Sequence, residues 1–378
     1  MALLCVVAIC LSVGAGCGAG TAEMPAEAEG GGGALASQAG EDAVSESAEA
    51  GEMQTLKVGM AGKDIKTVCI IVAQEMGYYK EEGVEVQFET ISNLADGLTA
   101  VDMGKLDILP FGVIPSASFV AQGADVVVFG GTISEGSEIV TLPENAASIQ
   151  SLEDFRGKKI GCYRMETGHM VMKGLLREAG FDLEKDVEFV LLDGQPTIIE
   201  AVKKGEVDMG FLNSGQGYVA QQAGLAVARQ VAEFEPDFPC CRQTTSRAAL
   251  EEKRDALIRF QVANLRAYKT LMEDPDRVVE ALAVYSGQPE EYVRAVIFGV
   301  AGEYESAMRV SLDPNKNKVL SFYELMKDNG DIDPETEYDM ADHIDTSIYE
   351  DALTEMLERE PDSEVFQALA EEFAQNNR

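Results

Sequence analysis

The sequence predicts an α/β protein of two similar lobes, each a mostly parallel sheet with flanking helices, followed by extra C-terminal helices. Three observations predict it. From Thr55 onward, short apolar strands alternate with segments whose apolar residues recur at helical spacing, the order that builds parallel sheets. The segment Ala100–Gly112 (AVDMGKLDILPFG) is echoed by Ala201–Asn213 (AVKKGEVDMGFLN). Each runs from a helix end through a turn glycine (Gly104, Gly205) and an aspartate (Asp107, Asp208) into an apolar strand. From about Ala249 the strand pattern stops and helical periodicity takes over.

Taken in order, TLKVGMA from Thr55 is the first strand. Thr67–Tyr79 carries Val68, Ile71, Val72, Met76 and Tyr79 at helical spacing, with Gly77 and Gly83 as breaks. Val84–Ile91 alternates cleanly as a strand. Asn93 caps a helix that Gly104 ends. Leu106–Gly112 reads as a strand and Ala124–Ile133 as a buried one. The second unit has strands at Glu138–Glu144, Lys158–Arg164, Val187–Gly194 and Met209–Ser214. Its helices are His169–Ala179 and a segment from Pro196 to Lys204, and Leu225–Phe234 carries the chain back. Beyond Ala249, Leu257, Phe260, Val262, Leu265, Tyr268 and Leu271 share core spacing. Further helices are expected around Val319–Met326, Tyr349–Leu357 and Ser363–Ala374.

The bulk numbers narrow the function. A chain of 378 residues, 46% hydrophobic, has room for two domains. Against 66 acidic residues stand 30 basic ones, a net charge of -36. Such a chain repels phosphate backbones, so nucleic acid is not an expected partner. The charge bears on solubility, not on fold. Two histidines exclude a His-rich metal site, and the seven cysteines lack the paired spacing of a zinc site. No metal and no cofactor are expected.

Ala2–Val13 is an unbroken apolar run, shorter than the roughly 20 residues that span a bilayer. Gly14, Ala15 and Gly16 follow it, so residues 1–17 read as a secretory signal. The arrangement resembles a bacterial lipoprotein signal, in which small residues precede a lipidated cysteine, here Cys17. It departs from that pattern in having Gly14 where Leu is preferred and no basic residue before the apolar run. Residues 18–54 are rich in Gly, Ala and Glu and contain no Lys or Arg, the composition of a flexible acidic tether.

Four segments carry a family resemblance: VAQEMGYYKEEGVEVQF (Val72–Phe88), SLEDFRGKKIG (Ser151–Gly161), AVKKGEVDMGF (Ala201–Phe211) and DHIDTSIYEDAL (Asp342–Leu353). The chain resembles the NMT1/SsuA-like branch of periplasmic binding proteins, which take nitrate, sulfonates, taurine or thiamine precursors. The resemblance implies a type II periplasmic-binding-protein-like fold: two lobes joined by two crossing strands, with ligand between them. It places one lobe at 55–134 plus 236–378 and the other at 135–235, with the hinge near Thr132–Ser134 and Phe234–Pro239. The implied function is the solute-binding subunit of an ABC importer outside the membrane, not an enzyme. Its expected partners are a small-molecule ligand and an ABC permease. The protein is expected to be a monomer that meets the membrane only through its lipid anchor. Two alternatives stand beside this. One is a pyrimidine-precursor synthase on the same fold, whose members carry a cysteine-rich iron-site motif and histidines. The other is a sensor that passes its ligand to a membrane kinase.

Ligands of open α/β sheets bind at the carboxyl ends of the strands. Those ends supply the candidate contacts: Lys63 and Asp64; Phe111, Gly112, Val113, Ile114 and Ser116; Thr132 near the hinge; Met165, Thr167, Gly168 and His169; and Asn213, Ser214 and Gln216. At Thr167–His169 the free amides of a helix start would hold a polar or anionic group. Glu166 beside them favours a neutral or cation-bearing ligand. Gly168 is expected to be open, so that bulk there blocks the amides without touching the core. Cys241 joins the candidates through the pair Cys240–Cys241. The favoured reading sends these two side chains to opposite strand faces, one packed as a small hydrophobe. The alternative is a vicinal disulfide or a thiol pair facing the cleft. Asp313–Glu324 imitates a calcium loop, but Lys318 stands where glycine is required, so a helix start is expected.

Overall fold

The structure, a computed structural model, describes residues 53–164 and 166–378. The leader with Cys17, the tether up to residue 52, and Met165 lie outside the described residues.

β1 (Gln54–Met60) and β2 (Val84–Thr90) pair in parallel along their full length. Leu56 and Val58 from one strand and Val84 and Val86 from the other are buried, so the alternation in sequence is the alternation of two sheet faces. The crossover between them is α1 (Val68–Glu75) and α2 (Tyr78–Glu81), separated by Gly77 at φ 77°. α3 (Leu94–Asp102) starts at Asn93, whose side chain accepts the N–H of Asp96, as expected of a cap. The expected strand Leu106–Gly112 contracts to two paired residues: Ile108 bridges Val58 and Leu109 bridges Thr244. Pro110 has no N–H to extend a ladder, and Gly112 at φ 62° turns the chain into α4 (Val113–Val120).

β3 (Val126–Glu135) leads out of this region and β4 (Ser137–Thr141) opens the next. There follow α5 (Pro143–Ala146), β5 (Lys159–Cys162), α6 (Thr167–Glu178), β6 (Glu188–Leu191), α7 (Gln195–Lys203), β7 (Met209–Asn213), α8 (Gln216–Gln222) and β8 (Ala226–Gln230). Their strands form one sheet in the order β6-β5-β7-β4-β8. β5 runs parallel to β6 and β7, whereas β4 is antiparallel to β7 and β8. The sequence echo has a common structural role. Gly104 and Gly205 take φ 67° and 68°. Asp107 accepts the N–H of Lys57 (2.8 Å) and Asp208 that of Lys159 (2.7 Å). Each aspartate ties its turn to the neighbouring parallel strand.

The chain returns on β9 (Pro239–Ser246), antiparallel to β3, and these two strands link the lobes. Three register shifts interrupt their pairing. The remainder is α9 (Arg247–Glu252), α10 (Arg254–Glu273), α11 (Pro275–Ser286), α12 (Glu290–Phe298), β10 (Met308–Val310), α13 (Lys316–Asn329), α14 (Ser347–Arg359) and α15 (Glu364–Asn376). β10 adds to β3. α10 packs on α1, α11 and α14. Phe260 stacks on Tyr79 with centroids 5.0 Å apart, and Tyr79 Oη donates to Asn264 Oδ1 (2.6 Å). Full burial of each large apolar side chain on this helix, such as Leu257 or Leu265, contributes about 1.5–3 kcal/mol.

The crossing is tightly built. A Cβ on Gly131 would lie 2.3 Å from Asp313 O and 2.4 Å from Ser311 O, so only glycine lets that loop approach β3. Arg242 is fully buried in β9. Its Nη1 donates to Ile133 O (2.9 Å) and Cys241 O (3.0 Å), its Nη2 to Ser134 Oγ (2.9 Å) and its Nε to Pro314 O (3.0 Å). The Asp313 region is a helix start, as expected, with Asn315 capping α13. Asn377 closes the chain onto it: Oδ1 accepts Lys316 N–H (2.9 Å) and Nδ2 donates to Asp313 Oδ1 (3.0 Å).

Candidate ligand cleft

The carboxyl end of β1 delivers Lys63 to Lys66 to the gap between the sheets. Asp64 Oδ1 accepts the N–H of Lys66 (2.7 Å), and Asp64 Oδ2 lies 3.4 Å from Lys66 Nζ. Lys63 Nζ sits over the Tyr285 ring, 4.4 Å from its centre. Gln195 at the start of α7, and Ser214 and Gln216 around the start of α8, face them from the other lobe. Gln288, Tyr292 and Val296 close the third side. Together these groups line a cavity of about 190 Å³. Lys63, Asp64, Ser214 and Gln216, selected from sequence, therefore meet at one place. Asn213 stands behind them: its N–H donates to Gln195 Oε1 (2.7 Å) and its Nδ2 to Tyr163 Oη (2.5 Å).

Burial opposes the charge of Lys66, but Asp64, Cys241, Tyr163 and Cys240 outweigh it and hold the ammonium above the usual lysine range. Burial, helped by Glu166, pushes the Tyr163 phenol up. The wall thus carries a firm cation, its balancing carboxylate, and neutral amide and hydroxyl groups.

Other candidates have structural duties. Phe111, Val113, Ile114 and Ser116 are buried, and Ser116 Oγ bonds to Thr244 Oγ1 (2.8 Å). Thr132 is buried and its Oγ1 donates to Pro110 O (2.9 Å). At the start of α6, Glu166 is itself the cap: its carboxylate accepts the N–H of Gly168 (3.0 Å), the N–H of His169 and Ser137 Oγ–H (2.8 Å). The amides expected to be free are engaged within the chain. Gly168 is not open either, since a Cβ there would lie 2.0 Å from Ser137 Oγ. Thr167 and His169 are buried, and the His169 ring lies 4.8 Å from that of Phe189 and 6.1 Å from that of Phe211. Burial pulls His169 down to about 4, so it is neutral.

Cys241 packs in the hydrophobic core as the favoured reading expects, but its side chain and that of Cys240 do not diverge to opposite faces. Their sulfurs lie 3.7 Å apart on the same side of β9. Ile133 pairs with Cys241 and Ser134 with Pro239, which leaves Cys240 as the extra residue of a bulge. Among the described residues no three His, Cys, Asp or Glu side chains converge as a metal cluster.

Gln195, Tyr163, Gln288, Tyr292 and Val296 were not found from sequence. Gln195 obeys the same strand-end rule as the others, since it follows β6. Gln288, Tyr292 and Val296 lie in a segment with only helical periodicity, which carries no sign of the cleft.

Two lobes, two linking strands and a polar cavity between the lobes define an α/β binding-protein fold. The chain belongs to the NMT1/THI5-like family, which residues 65–278 match, more than half of its length. A 4-amino-5-hydroxymethyl-2-methylpyrimidine phosphate synthase of Schizosaccharomyces pombe is 30% identical over 143 residues, 38% of this chain and 40% of that protein. The chain thus spans less than half of that relative. A synthase of the same name from Legionella pneumophila is 22% identical over 68% of this chain and 82% of its own length. Among solved structures, the periplasmic aliphatic sulphonate binding protein SsuA of Escherichia coli aligns with TM-score 0.64 and 16% identity, covering 78% of this chain and 99% of that one. The periplasmic nitrate-binding protein NrtA of Synechocystis aligns with TM-score 0.66 and 12% identity, covering 81% and 89%. At these identities the likeness is one of fold.

Proposed function

We propose that the chain captures a small polar organic solute between its lobes and delivers it to the permease of an ABC importer. The observation that carries this reading is the cavity at the strand ends, to which both lobes contribute polar groups. Its volume of about 190 Å³ is below the roughly 300–1,000 Å³ of sites for drug-sized ligands, so the occupant is small. Glu166 already fills the start of α6, which favours a neutral or cation-bearing solute over an oxyanion. In this reading the lobes are 55–134 with 236–378, and 135–235. They close about β3 and β9, and closure marks the loaded state for the permease. The protein acts outside the membrane as a monomer tethered through Cys17. The fold shared with sulphonate- and nitrate-binding proteins supports the reading.

Native mass spectrometry of the full chain, purified without unfolding, tests it. A single small molecule should accompany the protein, be released on unfolding, and rebind. Lys63→Met and Gln216→Leu should weaken rebinding about tenfold or more, each removing a polar contact worth at least 1.4 kcal/mol. Rebinding unaffected by both variants would place the site elsewhere. The names of the relatives favour a second reading, a pyrimidine phosphate synthase. Recovery of the solute chemically changed after incubation would select that reading.

A further inference from the structure

The capture reading makes no use of the two cysteines of β9. The bulge brings their sulfurs to 3.7 Å, with Cys241 in the hydrophobic core and Cys240 packed against it. Lys66 of the cavity wall acts electrostatically on both. Gly112 N–H, at the start of α4, favours a negative charge on Cys241, and Asp64 opposes it. Tyr163 and Cys240 interact electrostatically, and the charge of Glu166 pushes the Cys240 thiol up. Neither sulfur is in a disulfide; Cys241 is buried and Cys240 half-buried. The hydrogen bond between the two thiols, with Lys66 nearby, draws Cys241 below the usual thiol range and pushes Cys240 above it. This is the asymmetry of an attacking and a resolving sulfur. Cys69 and Cys162 differ: burial pushes both thiols up, Cys162 to about 12.

We propose that Cys240 and Cys241 form a redox-active dithiol, reached from solvent at Cys240, which a small-molecule disulfide oxidises to a vicinal disulfide. The Cys241 thiolate attacks one sulfur of the small disulfide, whose S–S bond breaks to release a first thiolate and leave a mixed disulfide. Cys240 gives its proton to that thiolate, and its sulfur then attacks Cys241 Sγ. The bond from Cys241 to the small molecule breaks, and the second thiolate leaves and takes up the proton that Cys241 had given to solvent. The two cysteines are oxidised and the small disulfide is reduced to two thiols. A bridge between neighbours in one strand is strained, which makes it easy to reduce again.

The test incubates the reduced full chain in glutathione buffers of graded oxidised-to-reduced ratio, then quenches, alkylates and digests with trypsin. The peptide Gln230–Arg242 holds Cys240 and Cys241 and no other cysteine. It should lose two hydrogens and escape alkylation as the oxidised fraction rises, and regain both on reduction. Before oxidation the pair, half-exposed at Cys240 and holding the lowered thiol at Cys241, should alkylate about tenfold faster than Cys69 and Cys162, which are both buried and hold their protons. Cys240→Ser should stop at a glutathionyl adduct on Cys241, and Cys241→Ser should react slowly at Cys240. An unbridged peptide at every ratio overturns the proposal. So does alkylation of the wild-type pair no faster than of Cys69, a readout independent of whether either variant folds.

Discussion

Arg242 is the side chain whose loss should most damage the link between the lobes. Its guanidinium lies wholly inside the protein and serves β3, β9 and the loop before α13 with four hydrogen bonds. Arg242→Met keeps much of the volume and removes every donor. Three carbonyls and one hydroxyl lose a partner, at about 1 kcal/mol net each, which puts the loss near 4 kcal/mol. The methionine also removes a desolvated charge, since burial holds Arg242 below its usual value against the attraction of Asp313. That relief lowers the figure, and about 3 kcal/mol is expected. Arg242→Lys retains the charge but replaces a planar fork by a single ammonium that cannot reach Pro314 O and Ser134 Oγ together, so about 2 kcal/mol should be lost. Urea denaturation followed by circular dichroism reads both: the midpoint should fall while the slope stays constant, because the surface exposed on unfolding is unchanged. If Arg242→Met unfolds within about 1 kcal/mol of wild type, the four bonds do not hold the crossing and the reasoning fails.

Glu138 gives a pH signature. It is fully buried, its Oε1 accepts Tyr304 Oη–H (2.5 Å) and its Oε2 accepts Gly217 N–H (2.7 Å), yet burial raises it to about 7. A carboxyl raised in the folded state binds its proton more tightly there, so its stabilising effect is complete below about 4.5 and is lost as pH rises through about 7. The loss is worth roughly 3 kcal/mol, and Glu138→Gln should flatten that part of the stability–pH curve; an unchanged slope would refute it. Gly168→Ala should cost about 1–3 kcal/mol through contact with Ser137, visible as a lower Tm, and a Tm equal to wild type would show that α6 shifts freely. Metabolic labelling with a fatty acid should mark the protein and fail in Cys17→Ser; retention of label in that variant would exclude Cys17 as the anchor.

The sheets were legible where one face is buried, because burial writes a period of two into β1 and β2. The Ala100–Gly112 and Ala201–Asn213 echo was legible for a related reason: a turn glycine at positive φ and, three residues on, an aspartate that accepts from the neighbouring strand are spelled out in one short segment. Leu106–Gly112 was over-read because its apolar run marks burial, while Pro110 and the turn at Gly112 decide the pairing. Of the residues the strand-end rule names, Lys63, Asp64, Ser214 and Gln216 line one cavity, while Phe111, Val113, Ile114 and Ser116 are buried around the start of α4. Glu166 was read as a charge beside a ligand, although it caps its own helix. The side-by-side sulfurs of Cys240 and Cys241 follow from register with β3, which no run of adjacent residues specifies. Gln288 and Tyr292 reach the cavity only through the packing of α12, a long-range outcome.

The clasp formed by Asn377 has a practical consequence for anyone converting this protein into a reporter. Asn377 grips Lys316 and Asp313, next to the Pro314 carbonyl that receives Arg242. A fluorescent domain joined directly after Arg378 would hang a single residue from that clasp and load the crossing whose movement it was meant to register. The turn at Gly224 suits an insertion better. Its φ is 90° and a Cβ there would meet no atom within 4 Å, so a linker can leave the surface without displacing a neighbour.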